Sequence, residues 1–391
     1  MRVVFVIPYF YPALGYGGTP RLAYDAARAL TQRGHQVTVL TTDAGGEARI
    51  PNDVTERIHR NGLDGIQVCF YKNLSNRLAF RHRVFFPPGF FIDIRRRLVE
   101  SHILHIHDLR SFLSVASHFA ARSLGIPYVL SPHGGLQRFG KKSAKLFFDR
   151  AWGKAILRDT SALCAISPLE EHEAALLGIN RQRVYPFPPA IDRDLYKRLP
   201  SRGEFASRWG LQRQRIVLFL GRLHWIKGAD LLIEAFSLLK ETPDAHLVIA
   251  GPDDGAEHQL KTLVKERGLE KQVTFTGFLD DTQKLKALVD SDVVVVPSRH
   301  EGFSLTILEA MACETPVILT SACELGTWIQ ERPSLTSFCS GDTEDLAQKL
   351  KTTLTLDWER KMMIESRNFV LKEFSSDALA ARAEQLYQSL I

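Results

Sequence analysis

The sequence predicts an α/β protein built as two doubly wound parallel-sheet domains with a cleft between them. Three observations predict it. The chain has 391 residues, about twice what one domain of ordinary size requires. Short apolar, β-branched runs alternate with helical stretches, the rhythm of parallel βαβ units. That rhythm stops once, at a proline-rich segment, and then restarts.

The first series of runs is Val3–Ile7, Val37–Thr41, Val68–Tyr71, Ile103–His107, Tyr128–Ser131 and Leu163–Ile166. The second is Ile216–Leu220, His246–Ala250, Val273–Thr276, Val293–Pro297 and Val317–Leu319. Between them, Tyr185–Ala190 carries three prolines, which remove backbone donors and disfavour helix, so an extended connector is expected there. This gives an N-terminal domain over residues 1–187 and a C-terminal domain over 188–373. Residues 374–391 are rich in alanine and leucine with no strand after them, and are expected to dock back as a helix.

Composition narrows the class. Hydrophobic residues make up 45% and charged residues 24%, ordinary for a soluble globular protein, which excludes disordered and fibrous classes. Five scattered cysteines without a CxxC pair suggest neither a disulfide framework nor a zinc knuckle, and fit the reducing cytoplasm. The N-terminal apolar run is cut by Pro8, which favours a buried strand over a secretion signal. No stretch of 18 uncharged apolar residues occurs, so no membrane span is expected. Residues 1–200 hold 28 Lys+Arg against 16 Asp+Glu, and residues 201–391 hold 22 against 28. A basic first half beside an acidic second half supports two domains and an anionic partner for the first.

In open parallel sheets ligands bind beyond the carboxyl ends of the strands, so chemistry is sought just after the runs. Pro297-Ser298-Arg299-His300-Glu301-Gly302-Phe303-Ser304-Leu305 follows Val293–Val296 and leads into a helix with Ser304 as its expected N-cap. Free amides and the positive dipole end at such a start favour an anion, and Gly302 lets backbone approach it. Glu301 and Glu309 are separated by about 12 Å along a helical path, too far to share a proton, so they need separate tasks. An isolated E-x7-E pattern is more often two solvated helix-end charges; its setting after the glycine loop favours a site. Gly221-Arg222-Leu223-His224-Trp225-Ile226-Lys227-Gly228 follows Ile216–Leu220, so Arg222 and Lys227 would add two cations suited to a diphosphate. Gly251, after His246–Ala250, is expected near a base and ribose.

These residues resemble the retaining family-4 glycosyltransferases of GT-B fold, whose signature is the E-x7-E run after the glycine loop. The resemblance covers nearly the whole chain. It implies two Rossmann-like domains, Glu301 against the donor sugar, Glu309 on the ribose, and the backbone around Gly302, Phe303, Ser304 and Leu305 on the distal phosphate. The family's arginine and Lys-Gly after this strand match Arg222 and Lys227. The loop Gly15-Tyr16-Gly17-Gly18-Thr19-Pro20 is not GxGxxG, and alone a tight turn explains it. The resemblance adds that Gly17 and Gly18 close over the donor phosphate. It also places a histidine against the donor sugar at His133, in Ser131-Pro132-His133-Gly134-Gly135. One departure falls at Pro188-Pro189, where relatives commonly have an Asn-Gly turn.

His105 and His107 share a strand face but lack a third ligand, so no metal is assigned. His107, Asp108 and Lys141 are set on the acceptor side. Phe85-Phe86-Pro87-Pro88-Gly89-Phe90-Phe91, then Arg95-Arg96-Arg97, with Arg138, Lys141, Lys142 and Lys145 later, form an aromatic and basic pattern. It reads equally as a membrane-facing surface or as core phenylalanines beneath a solvated basic face. The resulting expectation is a retaining, metal-independent hexosyltransferase requiring no cofactor, with a UDP- or GDP-linked sugar as donor. Its acceptor would be a lipid-linked saccharide of polysaccharide biosynthesis, and it would be cytoplasmic with peripheral contact to an anionic membrane. No nucleic-acid motif is present. A nucleotide-sugar epimerase and a catalytically silent nucleotide-sugar-binding protein are the competing readings.

Overall fold

The structure is a computed structural model describing residues 1–16, 18–136, 142–239, 244–325, 329, 332 and 334–391. Gly17 and Lys141, expected at the site, and the basic Arg138 lie outside the described residues. The chain forms two compact units, residues 1–190 with 376–391, and residues 191–375.

The first unit is a seven-stranded parallel sheet of order β3-β2-β1-β4-β5-β6-β7. Its strands are β1 (Arg2–Val6), β2 (Gln36–Thr42), β3 (Gln67–Tyr71), β4 (Ile103–His107), β5 (Tyr128–Ser131), β6 (Ala162–Ala165) and β7 (Val184–Pro186). Helices cover both faces, so alternate residues of one strand enter different cores. Val4 and Val6 pack with Leu40, Leu104 and Leu130, whereas Val3 and Phe5 pack with Val39, Ile103 and Val129. Burial on both faces is why these strands read as continuous apolar runs instead of alternating ones.

The connector expected at Tyr185–Ala190 begins with β7, which pairs Val184 with Leu163 and Pro186 with Ala165. An edge strand tolerates a proline because its outward side needs no donor. The last helix, Ser376–Leu390, buries Leu379, Ala380, Ala383, Leu386 and Tyr387 in the core of the first unit. Its neighbour is the helix Thr19–Gln32, whose Ala23, Ala26 and Ala27 are small enough to let the two approach closely. Glu384 binds Arg33, and it lies 3.4 Å from His35 Nε2.

The second unit is a six-stranded parallel sheet, β10-β9-β8-β11-β12-β13. The strands are β8 (Arg215–Leu220), β9 (Ala245–Ala250), β10 (Val273–Gly277), β11 (Val293–Val296), β12 (Val317–Thr320) and β13 (Leu335–Phe338). Again Val294 and Val296 enter one core and Val293 and Val295 the other. Both sheets reverse direction of growth beside their first strand, between β1 and β4 and between β8 and β11. Those reversals are where a doubly wound sheet leaves a crevice at its carboxyl edge. Among the described residues no helix is long and apolar enough to cross a membrane.

Candidate functional site

In the second unit, the loops after β8 and β11 meet at the reversal. Gly228 has φ +69°, and a Cβ there would stand 2.1 Å from the Pro297 carbonyl oxygen, so only glycine lets the two loops touch. The contact places Lys227 Nζ 2.6 Å from Glu301 Oε2, and Ser298 Oγ donates to the same oxygen at 3.0 Å. Glu301 is 9% exposed. Arg299 fixes the loop by donating to Asp230 at 2.6 and 2.8 Å and to the Trp225 carbonyl at 2.7 Å.

Arg222, also after β8, forms an ion pair with Asp254 on the loop after β9. That loop is brought close by Gly251, whose φ is +146° and whose Cβ would lie 1.8 Å from the Gly221 carbonyl oxygen. Asp254 thus belongs to the surroundings of Arg222.

Ser304 stands at the N-cap of the helix Leu305–Ala312, as expected, but its hydroxyl caps no amide. In the helix Thr19–Gln32, Gly18 occupies the N-cap position without a side-chain cap, and Thr19 is already helical. Both helix starts leave their first-turn amides unclaimed by a capping side chain, the condition in which a helix end receives an anion. A Cβ on Gly302 would meet nothing within 4 Å, so no neighbour among the described residues requires glycine there. Phe303 and Leu305 are half-buried against the core of the unit.

Glu309 has partners of its own, distinct from those of Glu301. Lys284 Nζ donates to its Oε1 at 2.7 Å. Tyr196, fully buried, hydrogen-bonds to it as well; burial and then the Glu309 charge drive that phenol's pKa well up. Burial would lower Lys284, yet the Glu309 charge outweighs it and holds the ammonium above its usual value. Neither Lys284 nor Tyr196 was marked by a motif.

In the first unit His107 ends β4 and His133 follows β5. His105 and His107 share a face as the alternation of the strand requires, with ring centroids 4.3 Å apart. Both nitrogens of His105 are engaged, Nδ1 with the Tyr387 hydroxyl at 2.6 Å and Nε2 with Ser131 Oγ at 2.7 Å. His107 Nδ1 lies 2.9 Å from His133 Nε2, and those two rings stack. Burial lowers all three: His105 to about 3, His133 to about 4, and His107 well below the usual imidazole range, so each is neutral near pH 7.

Among the described residues His107 Nε2 and His133 Nδ1 have no hydrogen-bond partner. Either direction of the shared hydrogen bond leaves one N–H unmet. Donation from His107 Nδ1 puts that N–H on His133 Nδ1, and donation from His133 Nε2 puts it on His107 Nε2. Glu170, 2% exposed, holds the adjoining turn by accepting from Gly134 N at 2.7 Å and Ile166 N at 2.9 Å.

A cavity of the first unit measures about 530 Å3 and is lined by His133 and Asp108 together with Tyr9, Phe112, Phe148 and Trp152. Burial pushes the Asp108 carboxyl up, against the lowering pull of Arg110 and Arg83. Two of the four phenylalanines in the aromatic run that could have faced a membrane are interior: Phe85 and Phe90 are fully buried, Phe90 with Ile94 and Leu98 at helical spacing toward the core. Phe86 is 40% exposed. Arg96 and Arg97 both bind Asp93, at 2.7 and 2.8 Å.

Two Rossmann-like parallel sheets in one chain, with polar groups gathered at the carboxyl ends beside each reversal, define the GT-B class of protein. Residues 202–368 match the profile described as glycosyl transferases group 1, and residues 16–195 match glycosyltransferase family 4. The chain belongs to the family-4 glycosyltransferases of GT-B fold. It is 25% identical over 417 residues to an uncharacterised glycosyltransferase of Methanocaldococcus jannaschii, covering 98% of this chain and 97% of that protein. With D-inositol 3-phosphate glycosyltransferase of Corynebacterium aurimucosum it shares 25% over 393 residues, 95% of this chain and 90% of the relative. The crystal structure of Anabaena HepE in complex with UDP superposes with a TM-score of 0.80 at 18% identity, covering all of both chains.

Proposed function

We propose that this glycosyltransferase is a retaining, metal-independent hexosyltransferase that takes a sugar from a UDP- or GDP-linked donor and passes it to a lipid-linked saccharide. The observation that carries the reading is the Lys227–Glu301–Ser298 cluster at the carboxyl end of β11, beside an uncapped helix start. In this reading the second unit, residues 191–375, is the donor-binding half and the first is the acceptor half. The UDP held by HepE, a structure of the same fold, agrees with such a donor.

The chemistry follows from the charges. Arg222, Lys227 and the amides at the start of the helix Leu305–Ala312 offset the charge that grows on the departing diphosphate. Glu301, ordered by Lys227 and Ser298, accepts hydrogen bonds from sugar hydroxyls, and His133 contacts the donor sugar. Glu309 receives the ribose hydroxyls in the company of Lys284, and Gly251 leaves room beside the base and ribose. Gly18, and Gly17 with it, cover the phosphate; Lys141 joins His107 and Asp108 on the acceptor side. The acceptor hydroxyl attacks the face the diphosphate leaves, which takes the proton, so no carboxylate nucleophile is used; retaining glycosidases differ in this. A cytoplasmic protein resting on an anionic membrane would use exposed apolar side chains such as Ile92 and Phe147 next to Arg95 and Arg150.

The test is a screen of purified protein against UDP-, GDP- and ADP-sugars, following nucleotide release with and without membrane lipid extract. Lipid-dependent release from one donor, lost in Lys227→Ala and Glu301→Ala, is expected. Donor conversion without acceptor would indicate an epimerase instead, and nucleotide binding without turnover a silent binding protein.

A further inference from the structure

Glu309 is held from two sides within the second unit. Lys284, on the helix Asp281–Asp290, donates to its Oε1 at 2.7 Å and lies 3.2 Å from Asp281 one turn earlier, so the ammonium is itself fixed between two carboxylates. Tyr196 comes from the short turn Arg193–Tyr196 and buries its phenol against the Glu309 carboxylate. Arg367 joins that turn to the helix Leu305–Ala312, donating to the Tyr196 carbonyl at 2.6 Å and to the Ala312 carbonyl at 3.1 Å. Separate elements therefore converge on one side chain.

Stability alone does not call for this arrangement. The Lys284 and Glu309 side chains are 20% and 13% exposed. At such burial the cost of taking both charges out of water offsets much of their attraction, and an apolar pair of the same volume would hold the two helices about as well. What the ion pair adds is direction. An ionised carboxylate offers about four acceptor positions on its two oxygens. Among the described residues Lys284 and Tyr196 are the side chains that occupy Glu309, which leaves acceptor positions for a ligand and fixes the plane in which they point. Neighbouring acceptors in a fixed plane suit the vicinal 2′ and 3′ hydroxyls of a ribose. Glu309 also stands four residues into its helix, about 6 Å along the axis from the uncapped start, a distance that a nucleoside diphosphate can span.

We propose that Lys284 and Tyr196 are positioning residues of the donor site: by fixing the Glu309 carboxylate they set a preference for a ribonucleotide over its 2′-deoxy form. This rests on the donor reading above, in which Glu309 receives the ribose.

The test is isothermal titration calorimetry on the intact chain with UDP, GDP and the 2′-deoxy form of each, without acceptor. For the base that binds, the ribonucleotide should bind about tenfold or more tighter than its deoxy form, the worth of one hydrogen bond to a charged acceptor. Lys284→Met should bring that ratio below about threefold by weakening the ribonucleotide, with the deoxy form changed by less than about twofold. Lys284→Arg, which keeps the ion pair, should retain most of the preference. Tyr196→Phe removes one oxygen from a ring still packed in the core; it should lower the ratio by about threefold, and it decides the matter if Lys284→Met does not fold. Glu309→Ala should abolish the preference, and adding Lys284→Met to it should change nothing further, since a positioning residue has no effect without the group it positions. An unchanged ratio in Lys284→Met or Tyr196→Phe, or an equal loss of affinity for both forms, would overturn the proposal while leaving the donor reading intact. If neither UDP nor GDP binds the wild type, the donor reading fails and this proposal fails with it.

Discussion

Lys227 and Glu301 provide a test in which stability and activity should separate. Lys227→Met leaves the Glu301 carboxylate, 9% exposed, with only the Ser298 hydroxyl among the described residues. Breaking a fully buried ion pair costs about 3–5 kcal/mol, and an exposed one about 0–1. The Lys227 side chain is 26% exposed and that of Glu301 10%, so a loss of about 2 kcal/mol is expected. For a unit spanning residues 191–375, that is a fall in Tm of about 4–8 °C. Adding Glu301→Gln removes the stranded charge while the amide still accepts from Ser298, so the double variant should recover to within about 1 kcal/mol of wild type. Transfer activity should stay about a hundredfold down in both, because the cation proposed to face the leaving phosphates is gone in each. Thermal unfolding by circular dichroism and nucleotide release give the two readouts. A double variant as unstable as Lys227→Met, or one with wild-type activity, would refute this account of the pair.

Other consequences concern the loops, the caps and the histidines. Gly228→Ala must relieve a backbone clash while holding φ near +69°, so it should cost about 2 kcal/mol or more in urea unfolding, whereas Gly→Ala at an ordinary helical site stabilises by about 0.5–1 kcal/mol. Ser304→Ala should change stability by less than about 0.5 kcal/mol because its hydroxyl caps nothing, whereas Ser111→Ala, whose hydroxyl accepts from Ser114 N at 3.1 Å, should cost about 1; equal costs would contradict the cap assignment. Since His105, His107 and His133 have depressed folded pKa values and ordinary unfolded ones near 6.5, the unfolded chain binds more protons between about pH 4 and 6. Stability therefore falls as pH drops through that window. His107→Phe should reduce the slope by about 1.4 kcal/mol per pH unit, and an unchanged slope would mean His107 is not held neutral.

The sheet strands were legible because burial on both faces turns them into unbroken runs such as Val293–Val296. β7 was not, since a strand ending in Pro186 looks like a connector until its partner β6 is known. Neither was β13, four residues of which two are Thr336 and Ser337. At the site, Arg222, Lys227, Glu301 and Ser304 lie just after strands, which sequence alone can recognise. Their partners cannot be found that way: Asp254, Lys284 and Tyr196 come from other loops and helices and only folding joins them. The first-unit cavity gathers Arg83, Asp108, Lys145 and Trp152 from separate elements, with no spacing to announce it. Phe85 and Phe90 show the converse, since an aromatic run says nothing of which rings face inward.

The most direct test of the central claim is the anomeric configuration of the product, read by NMR from an α-linked nucleotide sugar, with mass spectrometry of the enzyme during turnover. The account predicts an α-linked product and no glycosyl adduct on Glu301, because Lys227 and Arg222 stabilise the leaving diphosphate while Glu301 only positions the sugar. An inverted product, or a sugar covalently bound to Glu301, would contradict it.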